Sequence, residues 1–207
     1  MADRVIVYVD GFNLYYGIRG TPHRWLDLRA MSSALLRPTD QLVHVKYFTA
    51  RVRSTPSDPN APLRQQVYLR ALRTLPDLSI HFGHFLVSEP YMRVKSPPPN
   101  FIQVIKTEEK GSDVNLATHL LTDAFLGSYD VALVVSNDSD LCPPIEMVKN
   151  QFGKRVGIVN PHPGTPSKPL GQLATFYKSV RPGLLRVCQF ADPMVDAKGQ
   201  FTKPSNW

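Results

Sequence analysis

Residues 131–140 read Val-Ala-Leu-Val-Val-Ser-Asn-Asp-Ser-Asp, an apolar run followed at once by a polar run with two aspartates. An apolar, β-branched run without polar alternation is typical of a strand buried on both faces, as in a parallel sheet. Residues 5–9, Val-Ile-Val-Tyr-Val, repeat the pattern and lead directly into Asp10. Two such strands indicate an α/β fold in which carboxylates follow the strand ends.

Strands and helices alternate along most of the chain. We predict further strands over 42–52, 78–87 and 155–159, and helices over 28–36, 63–75, 112–126, 143–152 (with Pro143 and Pro144 tolerated in its first turn) and 170–180. Residues 88–106 are predicted to form an irregular hairpin excursion. This alternation predicts a central, mostly parallel sheet with helices on both faces.

The helix predicted over 112–126 has the most regular apolar spacing in the chain. Its expected buried stripe consists of Val114, Ala117, Leu121, Ala124 and Phe125. The domain is expected to span residues 1–181. Residues 182–207 are expected to form an irregular C-terminal extension packed on it.

The composition restricts the class of protein. The formal charge of +7 favours polyanionic partners, and the two cysteines cannot form a disulfide framework or a four-ligand zinc site. No run approaches the ~18 apolar residues that a membrane-spanning helix needs. The N-terminal residues do not resemble a secretory signal. We therefore expect a cytoplasmic protein that does not associate with membranes.

Four aspartates are expected to converge on one edge of the sheet. Asp10 follows the first strand, and Asp138 and Asp140 follow the strand at 131–135. Asp113 lies in the first turn of the helix at 112–126, which we expect to begin at the same edge. Ligands of open α/β sheets bind at the carboxyl ends of the strands. Clustered carboxylates need protons or cations, and Mg²⁺ or Mn²⁺ is the natural oxygen-liganded ion.

A purely structural interpretation of the same aspartates stays open. Asp138 or Asp140 could cap the following helix, since aspartate after a strand is a common helix cap. Asp113 could simply interact favourably with the positive end of its helix. The shared location, and not the residue type, favours a functional site.

Three motifs occur in order at the predicted boundaries. They are Asp10-Gly11-Phe12-Asn13-Leu14, Lys110-Gly111-Ser112-Asp113-Val114 and Ser136-Asn137-Asp138-Ser139-Asp140-Leu141. Together they resemble the NYN-domain family, LabA-like members of the PIN-like nuclease superfamily, from about residue 4 to about residue 180. The resemblance implies a three-layer PIN-like fold with an acidic pocket that binds Mg²⁺ or Mn²⁺ and cleaves RNA.

The resemblance also implies roles for individual residues. Asp10, Asp113, Asp138 and Asp140 match the acidic set, catalytic and metal-binding. Asn13 matches the family asparagine, expected to bond to the pocket or the substrate, and Ser136 and Ser139 would orient the carboxylates. Asn137 stands where the family more often has glycine; asparagine tolerates unusual backbone angles, so the turn is expected to survive.

Other residues are candidates for contact with RNA. Tyr16 could stack on a base, whereas Phe12 is expected in the core. Lys110 could pair with a phosphate or be an ordinary solvated lysine. Five arginines are expected to form a patch that contacts the RNA backbone: Arg51, Arg53, Arg64, Arg70 and Arg73.

The sequence thus predicts a metal-dependent ribonuclease acting on single-stranded or structured RNA. A non-catalytic module that binds RNA or a protein partner is the alternative. A third hypothesis is a phosphatase or nuclease acting on DNA or small nucleotides. The chain has no dinucleotide fingerprint, phosphate-binding loop or Gly-x-Ser-x-Gly elbow. Endo- or exonucleolytic action, RNA identity and assembly as a homo-oligomer stay open.

Overall fold

The computed structural model describes residues 2–164, 166–205 and 207. The strands are β1 (Arg4–Asp10), β2 (Gln41–Thr49), β3 (Leu78–Phe82), β4 (His84–Ser88), β5 (Tyr91–Arg93), β6 (Phe101–Gln103), β7 (Lys106–Lys110), β8 (Val131–Val135), β9 (Arg155–Asn160), β10 (Phe176–Ser179), β11 (Met194–Asp196) and β12 (Gly199–Phe201). The helices are α1 (Gly11–Ile18), α2 (Leu28–Leu35), α3 (Ala61–Leu72), α4 (Ser112–Phe125), α5 (Cys142–Phe152), α6 (Lys168–Leu173) and α7 (Pro182–Val187), with a 3-10 turn at Ser139–Leu141.

Six strands form the central sheet in the order β10-β9-β8-β1-β2-β3, and every neighbouring pair is parallel. The chain builds the sheet outward from β1 to β3, then returns to the other side of β1 and builds outward again from β8 to β10. The direction of winding therefore reverses between β1 and β8. In open α/β sheets, ligands bind at this topological switch point.

Helices cover both faces of the sheet, as predicted. Val5, Val7 and Val9 of β1 pack in one core cluster with residues of α1, α2 and α3. Ile6 and Tyr8 point to the opposite face and pack with residues of α4 and α5. Alternate side chains of a strand lie on opposite faces, so an entirely apolar strand serves two cores at once.

The strand predicted over 78–87 is two strands. It is divided at Gly83, because β3 belongs to the central sheet and β4 pairs with β7 in a separate hairpin. A Cβ atom on Gly83 would lie 2.5 Å from both the Glu109 Oε1 and the Lys110 backbone oxygen. A side chain at this position would clash with Glu109 and Lys110, so the turn between β3 and β4 needs glycine. The excursion predicted at 88–106 contains a short hairpin of β5 and β6.

The helix predicted over 170–180 is wrong in its second half. Residues 168–173 form α6, but β10 follows and pairs in parallel with β9 at the edge of the sheet. Phe176 of β10 packs its ring against Gly157 of β9. Sheet pairing therefore overrides the local helical pattern at these residues. Helix α1, which directly follows Asp10, was not predicted.

The stripe predicted for α4 is partly wrong: Ala124 is buried as predicted and Leu121 packs against the core, but the two end residues of the stripe are not buried. Leu116, Leu120 and Ala124 are its buried apolar residues, whereas Val114 is 67% and Phe125 75% exposed. Leu116 and Leu120 are one turn apart and pack against the face of the sheet that carries Tyr8. Both stripes are apolar in sequence, so only the docking of the helix distinguishes them.

Residues 182–207 are more regular than expected. They contain α7 and a hairpin of β11 and β12. Phe190 and Phe201 belong to the core cluster that also contains Trp25. In the ranges that the structure describes, no helix has the length and apolar character needed to cross a membrane.

Candidate functional site

A cleft lies at the carboxyl ends of β1 and β8, at the switch point of the sheet. Its lining residues come from β1, α1, the β4–β7 hairpin, α4 and the segments after β8 and β9: Asp10, Phe12, Asn13, Tyr16, Phe85, Thr107, Glu109, Asp113, Asp138 and His162. Three of the four aspartates selected from the sequence therefore share one cleft, which we call the acidic cleft. Its cavity volume is about 380 Å³.

Asp10 is held at the bottom of the acidic cleft by two hydrogen bonds. Its Oδ1 accepts from the backbone N–H of Asn13 at 2.9 Å, so the side chain caps α1. Its Oδ2 accepts from the Ser136 hydroxyl at 3.0 Å. The residue is only 5% exposed. Asp10 thus caps a helix and also presents a buried carboxyl group to the cleft.

The segment after β8 is tied to Asp10 by a short relay of hydrogen bonds. The Ser136 hydroxyl accepts from the backbone N–H of Asp138 at 3.1 Å while it donates to Asp10. Asp138 Oδ1 accepts from the backbone N–H of Asp140 at 3.0 Å and so caps the 3-10 turn. The Asp140 side chain lies on the exposed side of that turn and is not among the residues lining the cleft.

Asp113 reaches the cleft from the first turn of α4. Gly111, which precedes the helix, has a φ of 94°, a left-handed conformation that favours glycine. Glu109 Oε1 accepts from both the backbone N–H (3.0 Å) and the hydroxyl (2.7 Å) of Ser112. Glu109, and not Ser112, therefore caps this helix and adds a fourth carboxylate to the cleft.

Burial and neighbouring carboxylates raise the pKa of two aspartates in the cleft. Burial raises the pKa of Asp10 to about 6, and the negative charges of Asp113 and Asp138 add to the effect. Partial burial also raises the pKa of Asp113, with contributions from Asp138, Glu109 and Asp140. Asp140 thus acts on the cleft through its charge although its side chain lies outside it. Strong coupling of buried carboxylates is a feature of functional sites.

Asn13 connects three segments at the rim of the cleft. Its Oδ1 accepts from the backbone N–H of Asn137 at 2.9 Å and lies 3.0 Å from His162 Nε2. The Asn137 side chain in turn accepts from the backbone N–H of Ser167 at 2.7 Å. Asn137 has no positive φ, so the turn does not use the unusual backbone angle that glycine would permit. Asn137 instead joins two segments: its backbone N–H donates to Asn13, and its side-chain oxygen accepts from Ser167.

The donor set of the cleft is suited to a hard divalent cation. All of its acidic ligand atoms are carboxylate oxygens, the donors that Mg²⁺ and Mn²⁺ prefer. Within the described ranges, however, no three His, Cys, Asp or Glu side chains already stand in a metal-binding cluster. The residues therefore fit such an ion by chemistry, and a bound ion would have to draw the side chains closer together.

Comparison with known proteins identifies the family. The NYN domain model matches residues 4–179. The chain belongs to the NYN-domain family. NYN domains are nuclease-like relatives within the PIN-like group.

Two individual proteins are similar to this NYN domain. The 6-hydroxy-3-succinoylpyridine 3-monooxygenase HspA of Pseudomonas putida is 31% identical over 237 aligned residues, which cover 99% of this chain and 75% of that protein. The crystal structure of a protein of unknown function from Vibrio parahaemolyticus superposes with a TM-score of 0.58 at 18% identity. That match covers 87% of this chain and 94% of the other. At that identity it supports the fold alone.

Of the other residues considered in the sequence, Lys110 and Ser139 lie outside the cleft, whereas Tyr16 and Phe12 line it. The Lys110 ammonium is 3.7 Å from Glu108 Oε1, and Lys110 is not among the cleft-lining residues. Ser139 begins the exposed 3-10 turn. Tyr16 is 54% exposed at the cleft rim, with the Arg19 guanidinium 5.2 Å from its ring centroid. Phe12 was expected in the core. Instead it lines the cleft, in edge contact with Phe85.

The five arginines do not form one free patch. Arg70 binds Asp196 through two hydrogen bonds of 2.8 and 2.7 Å and covers the Phe201 ring, so it stabilises the C-terminal hairpin. Arg64 is paired with Asp58. The three remaining arginines are exposed: Arg51, whose guanidinium lies 4.7 Å from the Phe82 ring centroid, Arg53, and Arg73 at the end of α3.

Neither His162 nor Glu109 is among the residues selected from the sequence. A usable signal existed for the first. Asn160 ends β9, a buried strand, and its Oδ1 accepts from the backbone N–H of His162 at 2.8 Å. The rule that selected Asp10 at the end of β1 would have selected this segment as well. Glu109 has no such signal, because it lies in a hairpin outside the central sheet.

Proposed function

We propose that this NYN domain is a metal-dependent ribonuclease whose active site is the acidic cleft. One observation carries the proposal: Asp10, Asp113 and Asp138 line a single cleft at the switch point, where burial, together with the charges of Asp113 and Asp138, raises the pKa of Asp10 to about 6. A protein does not gain stability by grouping carboxylates in this way, so the arrangement favours a functional cation.

In the proposed reaction, water attacks phosphorus, a P–O bond to water forms and the P–O bond to the leaving oxygen breaks. Asp10, Asp113 and Asp138 would hold one or two Mg²⁺ or Mn²⁺ ions, with the Asp140 charge strengthening the local field. When bound, such an ion lowers the pKa of water and neutralises charge on the phosphoryl oxygens. The proton of the attacking water passes to solvent or to a carboxylate, and the leaving oxygen takes up a proton.

The protein's own contribution is to orient the carboxylates. Ser136 donates to Asp10 and so fixes the direction of its second oxygen. Asn13 holds the segment that carries Asp138 through the backbone of Asn137. Tyr16 is exposed at the rim, where a base could stack on its ring. The carboxylates of the cleft would repel the phosphates of RNA. The exposed Arg51, Arg53 and Arg73 would attract the RNA backbone and so offset this repulsion.

The test is cleavage of a fluorophore-labelled single-stranded RNA in Mg²⁺ or Mn²⁺. Asp10→Asn and Asp138→Asn should each reduce the rate by at least a hundredfold and keep the wild-type circular dichroism spectrum. Asp77→Asn is a matched control, since Asp77 is an exposed aspartate before β3 with a φ of 55°, which asparagine also tolerates. Wild-type rates in both cleft variants would disprove the mechanism.

The same assay tests the two alternatives that share this site. A non-catalytic binding module would retain RNA in a chelator and cleave nothing with any divalent ion. An enzyme acting on DNA or small nucleotides would prefer those substrates to RNA when all three are supplied in parallel. Either result would replace the ribonuclease proposal.

The similarity to HspA favours a second candidate function, the monooxygenation of an aromatic substrate. Its 31% identity extends over 99% of this chain, and its name describes an enzyme acting on a substituted pyridine. Such a reaction would insert one oxygen atom of O₂ into the ring, while a two-electron donor such as reduced nicotinamide would reduce the other atom to water. Oxygen uptake with 6-hydroxy-3-succinoylpyridine and NADH tests it directly.

A further inference from the structure

A second cavity lies beside the acidic cleft on the α1 side of the sheet. Its cavity volume is about 270 Å³, near the lower end of the roughly 300–1,000 Å³ of small-molecule sites. Six aromatic side chains line it: Phe12, Tyr15, Tyr16, Tyr47, Tyr68 and Trp207. We call it the aromatic cavity. Phe12 and Tyr16 also line the acidic cleft, so the two spaces share a wall.

The charged groups in the wall of the aromatic cavity are mainly basic. Arg24, Arg53 and Arg64 all line it, and its only acidic lining residue in the described ranges, Asp58, is paired with Arg64. Gln65 also lines the cavity, but its amide is already bonded to the backbone of Ala50 and Val52. In the described ranges, the charged groups of the wall without an acidic partner are therefore arginines, which donate hydrogen bonds and carry positive charge. Hydroxyl groups of Thr49, Thr55 and four tyrosines complete the polar lining.

Two buried donors of this wall have no partner among the described residues. They are the Arg24 Nε and the Trp207 Nε1. A buried N–H that lacks an acceptor costs about 1–3 kcal/mol, and buried polar groups are normally satisfied. Both unpartnered atoms belong to residues lining the same cavity. An acceptor bound in this cavity would supply the partner that these two donors lack.

We propose that the aromatic cavity binds a planar aromatic ring that carries an anionic group. The ring packs among the aromatic side chains, and the anion accepts from the Arg24 and Trp207 N–H groups near Arg53. Such a ligand could be a nucleotide of a strand whose next phosphate lies in the acidic cleft, or a free aromatic acid. The binding does not depend on which reaction, if any, the acidic cleft performs.

The test is calorimetric titration of the full chain in a chelator, with four probes. They are adenosine 5′-monophosphate, nicotinate, adenosine and inorganic phosphate. We expect adenosine 5′-monophosphate or nicotinate to bind at least tenfold more tightly than adenosine or phosphate alone, because ring and anion are both required. Preference for the nucleotide identifies a nucleic-acid strand as the source, and preference for nicotinate identifies an aromatic acid.

Variants tie the binding to this cavity. Arg24→Met, at similar size, and Trp207→Phe, which keeps an aromatic ring, each remove one unpartnered donor and should weaken binding by at least tenfold. Arg29→Met is the matched control, since the Arg29 Nε is also buried and unpartnered in the described chain but Arg29 does not line the cavity. Tyr16→Leu at the exposed rim provides a variant with little risk to folding.

Two results would overturn the proposal. One is the absence of binding by adenosine 5′-monophosphate and nicotinate up to millimolar concentration. The other is binding that is unchanged in Arg24→Met, Trp207→Phe and Tyr16→Leu, each with a wild-type melting temperature. Because the titrations contain no divalent ion, they are independent of cleavage, and a failed cleavage assay leaves their interpretation intact.

Discussion

The side-chain oxygen of Asn13 lies 3.0 Å from Nε2 of His162, a residue 149 positions away in the chain. The same oxygen accepts the backbone N–H of Asn137. Because an amide oxygen can only accept, His162 has to carry its ring proton on Nε2. One polar atom thereby joins the segments that follow β1, β8 and β9.

Asn13→Ala should destabilise the protein and reduce cleavage. The substitution leaves the N–H groups of Asn137 and His162 without their acceptor, which costs about 1–3 kcal/mol in the free energy of unfolding. The segment carrying Asp138 loses an anchor, so we expect at least a tenfold lower cleavage rate. Urea unfolding and the RNA assay measure the two effects. Asn150→Ala, on the exposed face of α5, is the control, and equal behaviour of the two variants would contradict the anchoring role.

Asp140→Asn should reduce cleavage less than Asp138→Asn. The Asp140 side chain does not line the acidic cleft, and only its charge reaches Asp113. Its backbone N–H, which bonds to Asp138, is unaffected by the substitution. We expect a loss of about tenfold or less for Asp140→Asn, measured as the initial rate at saturating Mn²⁺. A loss equal to that of Asp138→Asn would mean that Asp140 turns into the cleft when substrate or metal binds.

Asp10→Asn should stabilise the metal-free protein at neutral pH. The folded-state pKa of Asp10, about 6, lies above the ordinary value near 3.9, so the folded state favours the protonated form. The wild type therefore loses stability as the pH rises from about 4 to about 6, and the full penalty is present above that window. Asparagine removes it, for a gain of up to about 3 kcal/mol at pH 8.

The measurement is the free energy of unfolding of both proteins between pH 4 and pH 8 in a chelator. The difference between them should disappear towards pH 4. A variant less stable than the wild type at pH 8 would show that the carboxylate is held by its bonds to Asn13 and Ser136 more strongly than burial and repulsion oppose it.

His81→Gln should reduce the loss of stability at acid pH. This pH dependence is opposite in sign to that of Asp10, which costs stability as the pH rises. Burial, together with the neighbouring His119, Lys46 and His44, lowers the pKa of His81 to about 4, with Asp123 opposing. The unfolded chain takes up a proton near the ordinary pKa of about 6.5, so this site loses stability as the pH falls from there to about 4. The variant should be less sensitive over that interval in thermal unfolding. Unchanged sensitivity would exclude His81 as its source.

Gly11→Ala should disrupt both the fold and the site. A Cβ atom there would lie 2.6 Å from the backbone oxygen of Phe48 and 2.7 Å from the Tyr47 ring. Helix α1 would have to move away from β2 and take Asn13 with it, and overpacking of this kind costs about 1–3 kcal/mol. Gly20→Ala meets no atom within 4 Å and is the control. Equal melting temperatures for the two variants would contradict the close packing of α1.

Local patterns in the sequence were sufficient to predict the strands and helices whose ends are clearly marked. The apolar runs at 5–9 and 131–135 are buried strands of the parallel sheet. Pro143 and Pro144 lie in the first turn of α5, as predicted, because proline needs no N–H donor there. Asp10 and Asp138 occupy the same edge because each follows a strand of a parallel sheet. These features depend on a few neighbouring residues and on chain direction.

The sequence by itself thus determined the family and the parallel sheet, and it predicted a group of four aspartates at one edge of that sheet. Only the tertiary structure decided the orientation of α4, the entry of Glu109 and His162 into the acidic cleft, and the exclusion of the Asp140 side chain. It also brought Arg24 and Trp207 to one cavity. The reason is physical: periodicity and caps are set by residues a few positions apart, whereas these contacts join segments whose relative position follows from packing across the whole sheet.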